Sequence, residues 1–391
     1  MITSMDDYLI HQTSEPIAQP EPTDRNFYDR YWMNGYDSEG GFLFECGMGV
    51  YPNRKVLDAH WSVSIDGVQH CFHGSRRAPG DRTQTQLGPL EIEVVEPMRA
   101  LRVRLAPNET GIECDLTFTA RTFPHLEPKN VMYDEGRCIM NTSRFTQLGC
   151  WEGYFSVAGE RVDVRPETTF GTRDKSWGVR PVGEPEAGAP GLMTNEPGVY
   201  WVWAPTFWPD GFCTQFGTFE DRDGHATQVS GHRVPLYGTK EAIPAESDPG
   251  IIDMASARHK IHWHKGTRLA ERAEFELTQP DGEVLAFTLE PMIRFHLLAL
   301  GYQHPEWGHA VWKGEEVIAG ESWKLDEIDL LDYKHIHNHQ VCRATMVDRT
   351  GGDSAGADST GPGLTGIATL ETIAFGRHDP SGFESMLDGA P

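Results

Sequence analysis

Between Gly171 and Pro181 the chain reads Gly-Thr-Arg-Asp-Lys-Ser-Trp-Gly-Val-Arg-Pro, which puts a carboxylate, two guanidiniums and an indole within eight residues. Side chains of an extended segment alternate between faces. Asp174, Ser176 and Gly178 therefore share one side, and Arg173, Lys175, Trp177 and Val179 share the other. An Asp beside two Arg has two readings. It is a rigid ion-pair staple, because planar guanidinium forks bind carboxylates bidentately, or it is a cavity acid whose protonation is set by burial and neighbours. Residue types alone favour the staple.

A second segment, residues 301–312, holds Tyr302, His304, Trp307, His309 and Trp312. It suits an apolar pocket with a few convergent polar groups, or equally a turn packed by aromatics. In His335-Ile336-His337-Asn338-His339 the imidazoles at alternate positions would line one strand face, a pattern able to bind zinc, iron or copper. A polar strand face turned to solvent gives the same pattern, and no acidic ligand stands at a recognisable spacing. Metal on His335, His337 and His339 is therefore the weaker alternative. No GxxxxGK[ST] is present, and the one GxGxxG match, Gly361 to Gly366, precedes a strand and no helix, so no phosphate cradle is visible. HExxH is also absent, and the letters GxSxG occur only at Gly352 to Gly356, inside the Gly/Ser/Asp-rich stretch with no strand-to-helix pattern around them. The expectation is chemistry without nicotinamide, flavin or haem, and no organic cofactor of any kind.

The elements that must position these groups read as strands. Gly and Pro, 41 and 26 residues, punctuate short alternating runs. Trp61, Val63 and Ile65 alternate with polar residues, Asp66-Gly67 follows, and Val68 resumes the pattern; Asp-Gly between two such runs is a strong hairpin signal. Residues 90–118 supply three more alternating strands. In the second half, runs at 200–204, 213–219, 273–277, 284–289 and 366–375 flank turns such as Pro209-Asp210-Gly211 and Asp281-Gly282. Helical periodicity is weak, with Ile251 to His259 its best candidate. Strands about ten residues apart with turns between them indicate antiparallel barrels or sandwiches. The predicted organisation is an irregular arm over 1–25, a β domain over 26–181, a linker over 182–198, and a β domain over 199–391 with a mobile stretch at 350–363.

The balance of 34 Lys and Arg against 58 Asp and Glu gives a net charge of −24 in 391 residues. Such a surface repels phosphate backbones and argues against nucleic acid and anionic membranes as partners. No run of 18 apolar residues marks a spanning helix, and the N-terminus has neither a basic nor an apolar leader segment. Seven dispersed cysteines without CxxC spacing read as reduced core residues, which points to a cytoplasmic protein.

The Arg173-Asp174-Lys175-Ser176-Trp177-Gly178-Val179-Arg180 segment resembles the RDxSWGxR signature of the AttH and carotenoid 1,2-hydratase-like superfamily, closer to its bacterial branch than to the carotenoid hydratases. Gln147 to Tyr154 and His304 to His309 resemble further landmarks, together spanning roughly residues 27–375. The resemblance implies an all-β fold of two lipocalin-like antiparallel β-barrels packed together, with a cavity for a hydrophobic small molecule. In the hydratase relatives it implies acid-initiated addition of water to an isolated double bond. That chemistry needs an acid in a dry pocket and aromatic faces for the cation. Asp174 is the expected acid, sharing its cavity with Trp177 and at least one of His304 and His309. Trp177, Trp203 and Trp307 are expected to contact substrate, Tyr302, His304 and His309 to handle water's proton, and Arg173 and Arg180 to orient Asp174. The expected partner is an isoprenoid, steroid-like or aromatic lipid undergoing hydration, dehydration, isomerisation or cyclisation. A non-catalytic binder of such molecules, and the metal-dependent enzyme, are the alternatives.

Overall fold

In the computed structural model, residues 2–183, 198–347 and 363–391 are described. Nearly all of the expected linker at 182–198, and all but the last residue of the stretch at 350–363, lie outside them. Strands dominate the described chain and form two antiparallel sheets, with only short 3-10 turns as helix. The all-β expectation of two packed barrel-like sheets is met.

In the first sheet the strands run in spatial order Glu316–Lys324, Val68–Arg77, Val56–Ile65, Phe42–Tyr51, Phe27–Asp37, Thr169–Val179, Arg137–Val157, Glu113–Ala120, Ala100–Leu105, Leu90–Glu96 and Gln86–Leu87. The last strand curls back towards the first, where the Gly88 backbone N–H donates to Glu316 Oε2 at 3.2 Å. Glu316–Lys324 belongs to the second half of the sequence yet pairs with Val68–Arg77, so the two halves are stitched together by a shared sheet. The second sheet runs Ile252–Asp253, Ala226–Pro235, Phe212–Glu220, Val199–Trp203, Thr365–Phe375, His337–Met346, Val284–His296, Ala270–Thr278 and Ser256–Trp263. Its edges meet where Met254 N donates to Gly231 O and Ala255 N to Thr278 O.

Local signals account for much of this. Asp66 and Gly67 take φ of 48° and 76°, the two positive angles that the hairpin turn between Val56–Ile65 and Val68–Arg77 demands. Ile251 to His259 is not helical; it forms the short strand Ile252–Asp253 and the start of Ser256–Trp263. Arg258, Lys260 and His262 alternate there with Ala257, Ile261 and Trp263, a period of two.

The apolar interior divides into three main clusters. Phe44, Trp61, Phe72, Phe118, Trp151 and Phe155 fill the first sheet, and Trp208, Phe216, Phe275 and Phe287 fill the second. Both are packed with side chains. A third cluster lies between the sheets, joining Trp32, Tyr36, Leu43 and Leu148 to Trp203, Phe295, Leu297 and Val341. Central strands of the first sheet are thus covered on both faces: Val56–Ile65 and Phe42–Tyr51 are buried almost throughout. The face turned towards the second sheet carries polar groups, including Asn34, Glu45, His60, Ser62 and His73, all fully buried.

Candidate acid-base site between the sheets

Asp174 lies in this third layer. One register row across the first sheet aligns Thr146, Asp174, Trp32, Gly47, His60 and His73 as successive Cα partners. A row of the second sheet aligns Trp203, Glu371, His339 and Phe295. Where the rows meet, Trp32 packs edge-on against Trp203 and His339, with ring centroids 5.6 and 5.3 Å apart. The space left is a cavity of about 30 Å³ walled by Trp32, Arg144, Asp174, Trp203, Leu297, Tyr302, His339 and Glu371. That admits a water molecule and excludes a lipid-sized ligand, so the expected ligand-sized cavity is not found at Asp174.

The Asp174 side chain is 13 % exposed, with its nearest cation, Arg144 Nη1, 4.0 Å from Oδ2. Its Oδ1 is buried and has no hydrogen-bond partner. Burial raises the carboxyl to about 6 against the pull of Arg144 and Arg30. Arg144 is engaged elsewhere: its Nε and Nη2 both donate to Glu127 Oε2. Glu127 also accepts from Thr146 and, at 2.7 Å, from Gln215 of the second sheet. Burial would raise the Glu127 carboxyl, but Arg144 outweighs it and holds it down. The guanidinium of Arg144 also lies 5.3 and 5.8 Å from the Trp201 and Trp203 rings.

Opposite Asp174, His339 Nδ1 contacts Glu45 Oε1 at 2.6 Å, and Trp32 Nε1 donates to Glu45 Oε2 at 3.1 Å. His337 Nε2 lies 2.7 Å from Glu371 Oε1, and His339 Nε2 lies 3.5 Å from Glu371 Oε2. Burial would discharge His339, but Glu45 and Glu371 outweigh it and raise its pKa to about 10. Burial likewise acts to raise the Glu371 carboxyl, yet His339 and His337 hold it well below the carboxylate range.

Of the residues singled out from sequence, Asp174, Trp203, Tyr302 and His339 line this cavity, with His337 just behind Glu371. Trp177 does not. Strand alternation carries it to the other face, where it is 37 % exposed and its ring lies 5.9 Å from the Lys175 ammonium. Arg173 points the same way, into the first sheet, donating Nε and Nη2 to Gln147 Oε1 at 2.8 and 2.7 Å. Neither it nor Arg180 pairs with Asp174. Arg180 lies over Tyr28 and Tyr302, at 4.6 and 5.7 Å, and donates Nη2 to His309 Nδ1 at 3.1 Å. An arginine only donates, so His309 Nδ1 accepts, and Nε2 carries the proton donated to Leu300 O at 2.7 Å. With both nitrogens engaged and burial depressing its pKa, His309 braces the Leu297–Leu300 turn that walls the cavity.

His304 and Trp307 belong to a separate cluster. Glu321 Oε1 meets His73 Nε2 at 2.8 Å and His304 Nε2 at 2.7 Å. Trp307 stacks on His73 with centroids 5.7 Å apart, and His60 Nδ1 contacts His73 Nδ1 at 2.9 Å. His335 leaves its neighbours for the turn Tyr333–His335, where its carbonyl oxygen accepts from His296 Nδ1 at 3.0 Å. The place expected for a third imidazole falls instead to Glu371, contributed by the adjacent strand.

Sequence reasoning missed Arg144, Glu127, Glu45, Glu371, Trp32 and Arg30. A signal for two of them exists: Glu45 is the lone charge in Phe42-Leu43-Phe44-Glu45-Cys46, and Glu371 is the lone charge in Ala368-Thr369-Leu370-Glu371-Thr372-Ile373. A carboxylate inside an apolar strand has to find a partner, because a buried unpaired charge is costly.

The molecule is therefore of a class with two antiparallel β-sheets closed around a polar, buried inter-sheet site. Its model match, over residues 2–384, makes the chain a member of a family of unknown function, DUF8625. No curated protein matches the sequence. Among solved structures, the chain is similar to kievitone hydratase from Nectria haematococca, at 11 % identity and a TM-score of 0.49 over 88 % of both chains. It is also similar to a putative AttH from Nitrosomonas europaea, at 11 % identity and a TM-score of 0.48 over 88 % of this chain and 92 % of that one. Among the described residues no helix is long and apolar enough to cross a membrane.

Proposed function

We propose that the inter-sheet site is an acid-base centre that adds water to, or removes it from, a hydrophobic small molecule, with Asp174 as the proton donor. The observation that carries this reading is the unpartnered Asp174 Oδ1, beside a water-sized cavity walled in part by two indoles, Trp32 and Trp203. A carboxyl raised to about 6 is protonated often enough near neutral pH to act as an acid. Trp32 and Trp203 offer rings beside the developing cation. In the hydration direction the Asp174 proton goes to one alkene carbon, and a water oxygen bonds to the other. The proton shed by that water returns to Asp174, leaving the acid regenerated and one C–O and one C–H bond formed. Tyr302 and the Arg30 guanidinium, whose Nη1 donates to Tyr302 Oη at 3.1 Å, would orient the water. Arg180 and His309 are positioning residues in this scheme, and Trp177, Arg173, His304 and Trp307 take no part. A cavity of about 30 Å³ requires its walls, Leu297 and Tyr302 among them, to give way as substrate enters.

The test is turnover of a panel of isoprenoid, steroid-like and aromatic alkenes, with their alcohols, in 18O-labelled water, followed by mass spectrometry. Asp174→Asn keeps the shape and loses the acid, so label exchange should fall by about 10²–10⁴-fold. Undiminished exchange by this variant would contradict the assignment.

A further inference from the structure

Beside the Asp174 cavity, two imidazoles and a carboxylate converge in a way that proton chemistry alone does not require. His337 and His339 project from the same face of one strand, and Glu371 is the direct partner of His339 on the next. One ligand atom from each lies within 4.8 Å of the other two. His337 and His339 are 5 % and 2 % exposed. His339 Nε2 lies 3.5 Å from Glu371 Oε2 and makes no well-aligned hydrogen bond, and its ring walls the cavity.

We propose that His337, His339 and Glu371 form a 2-His-1-carboxylate site for a divalent transition metal of the zinc type. The outer contacts support it. Imidazoles that ligate metals commonly donate their second nitrogen to a carboxylate, which fixes tautomer and ring direction. His339 Nδ1 meets Glu45 Oε1 at 2.6 Å, and Trp32 anchors the other Glu45 oxygen. This arrangement directs Nε2 towards Glu371, 3.5 Å from its Oε2. Two nitrogens and one carboxylate suit zinc and its first-row neighbours better than magnesium or calcium, which prefer all-oxygen shells. The cavity provides space for the open position, where a metal-bound water would face Asp174. Only this use of the water rests on the Asp174 reading; metal binding itself does not.

The cluster of His73, His304 and Glu321 has the same donor types at similar spacing but a different hydrogen-bond logic. His304 Nδ1 accepts from the backbone N–H groups of Glu306 and Trp307 at 3.0 and 2.8 Å. A nitrogen that accepts carries no proton, so in the neutral ring Nε2 holds it and has no lone pair to give a metal. That cluster is a hydrogen-bonded network, and it serves as an internal control.

The experiment is titration of chelator-stripped protein with Co²⁺, read by its visible absorption, and with Zn²⁺ by calorimetry. One equivalent should bind. His337→Gln and His339→Gln should each abolish that binding, and Glu45→Gln should weaken it by about 10–100-fold. His304→Gln and Asp174→Asn should leave it intact. Asp174→Asn separates the two proposals, since it should keep the metal while losing turnover. The site is overturned if the wild-type protein binds neither ion. It is also overturned if binding survives in His337→Gln and His339→Gln proteins that keep the native near-ultraviolet circular dichroism.

Discussion

The two faces of the central strands Phe27–Asp37 and Phe42–Tyr51 make a comparison inside one sheet. Met33, Phe44, Cys46 and Met48 point into the first sheet and join its apolar core. Arg30, Trp32, Asn34 and Glu45 point the other way and are just as thoroughly excluded from solvent. The first face is held by dispersion and burial, which tolerate no water and carry no charge. Three charges on the second face find partners: Glu45 meets His339 and Arg30 meets Tyr302 across the gap, while Arg144 of the neighbouring Arg137–Val157 strand binds Glu127, which Gln215 of the second sheet also binds. Burial therefore says nothing about which face can do chemistry. The polar face differs in holding a buried acid, Asp174, that walls the cavity and whose Oδ1 has no hydrogen-bond partner.

Substitutions on the two faces should behave differently. Glu127→Ala strips the partner from buried Arg144 and leaves Thr146 and Gln215 without their acceptor, a loss of roughly 3–5 kcal/mol. Chemical denaturation should show the loss at neutral pH and a smaller one in acid, where the Glu127 carboxylate is itself protonated. Phe44→Ala on the apolar face should cost about 3–5 kcal/mol and give the same value from pH 5 to pH 9; a marked pH dependence would blur the distinction between faces. Gly47 is intermediate. A Cβ there would lie 2.5 Å from Arg30 Nη2, so Gly47→Ala should cost about 1–3 kcal/mol by overpacking and displace the guanidinium from Tyr302. The smallest effect belongs to Trp177→Ala, on the side away from the cavity and 37 % exposed. Its melting curve should shift by less than about 1 kcal/mol, with turnover unchanged; lost turnover would return Trp177 to the site.

Strand alternation made part of this legible. It places Asp174 and Trp177 on opposite sides of their strand, which is what the fold realises, and it conflicts with grouping both residues in one cavity. Asp66-Gly67 marks its hairpin because the turn is local. The partners of Asp174 are not local: Trp32, Arg144 and Glu371 lie 142, 30 and 197 positions away along the chain. Their meeting depends on the register of strands drawn from both halves of the sequence. Polar residues at alternate positions, such as His337 and His339, read as a solvent face because one sequence shows only that they differ from their neighbours. It does not show that a second sheet covers them. For the same reason no acidic ligand was visible beside the histidines, since Glu371 is supplied by the next strand and not by a spacing.

The central claim is that Asp174 is a strained acid and not a staple, and stability against pH tests it most directly. Its folded pKa of about 6 lies above the ordinary 3.8, so the folded state holds this proton more tightly than the unfolded chain does. The group is neutral in its effect below about pH 4, and it destabilises the fold increasingly as pH rises through 6. At pH 7 this tighter hold on the proton amounts to as much as about 3 kcal/mol. Denaturant unfolding of wild type and Asp174→Asn at pH 7 and pH 4 should find the variant more stable at pH 7 by up to that amount, with the difference closing at pH 4. A variant less stable than wild type at pH 7 by several kcal/mol would show that the carboxylate holds a guanidinium in place, and would contradict the account.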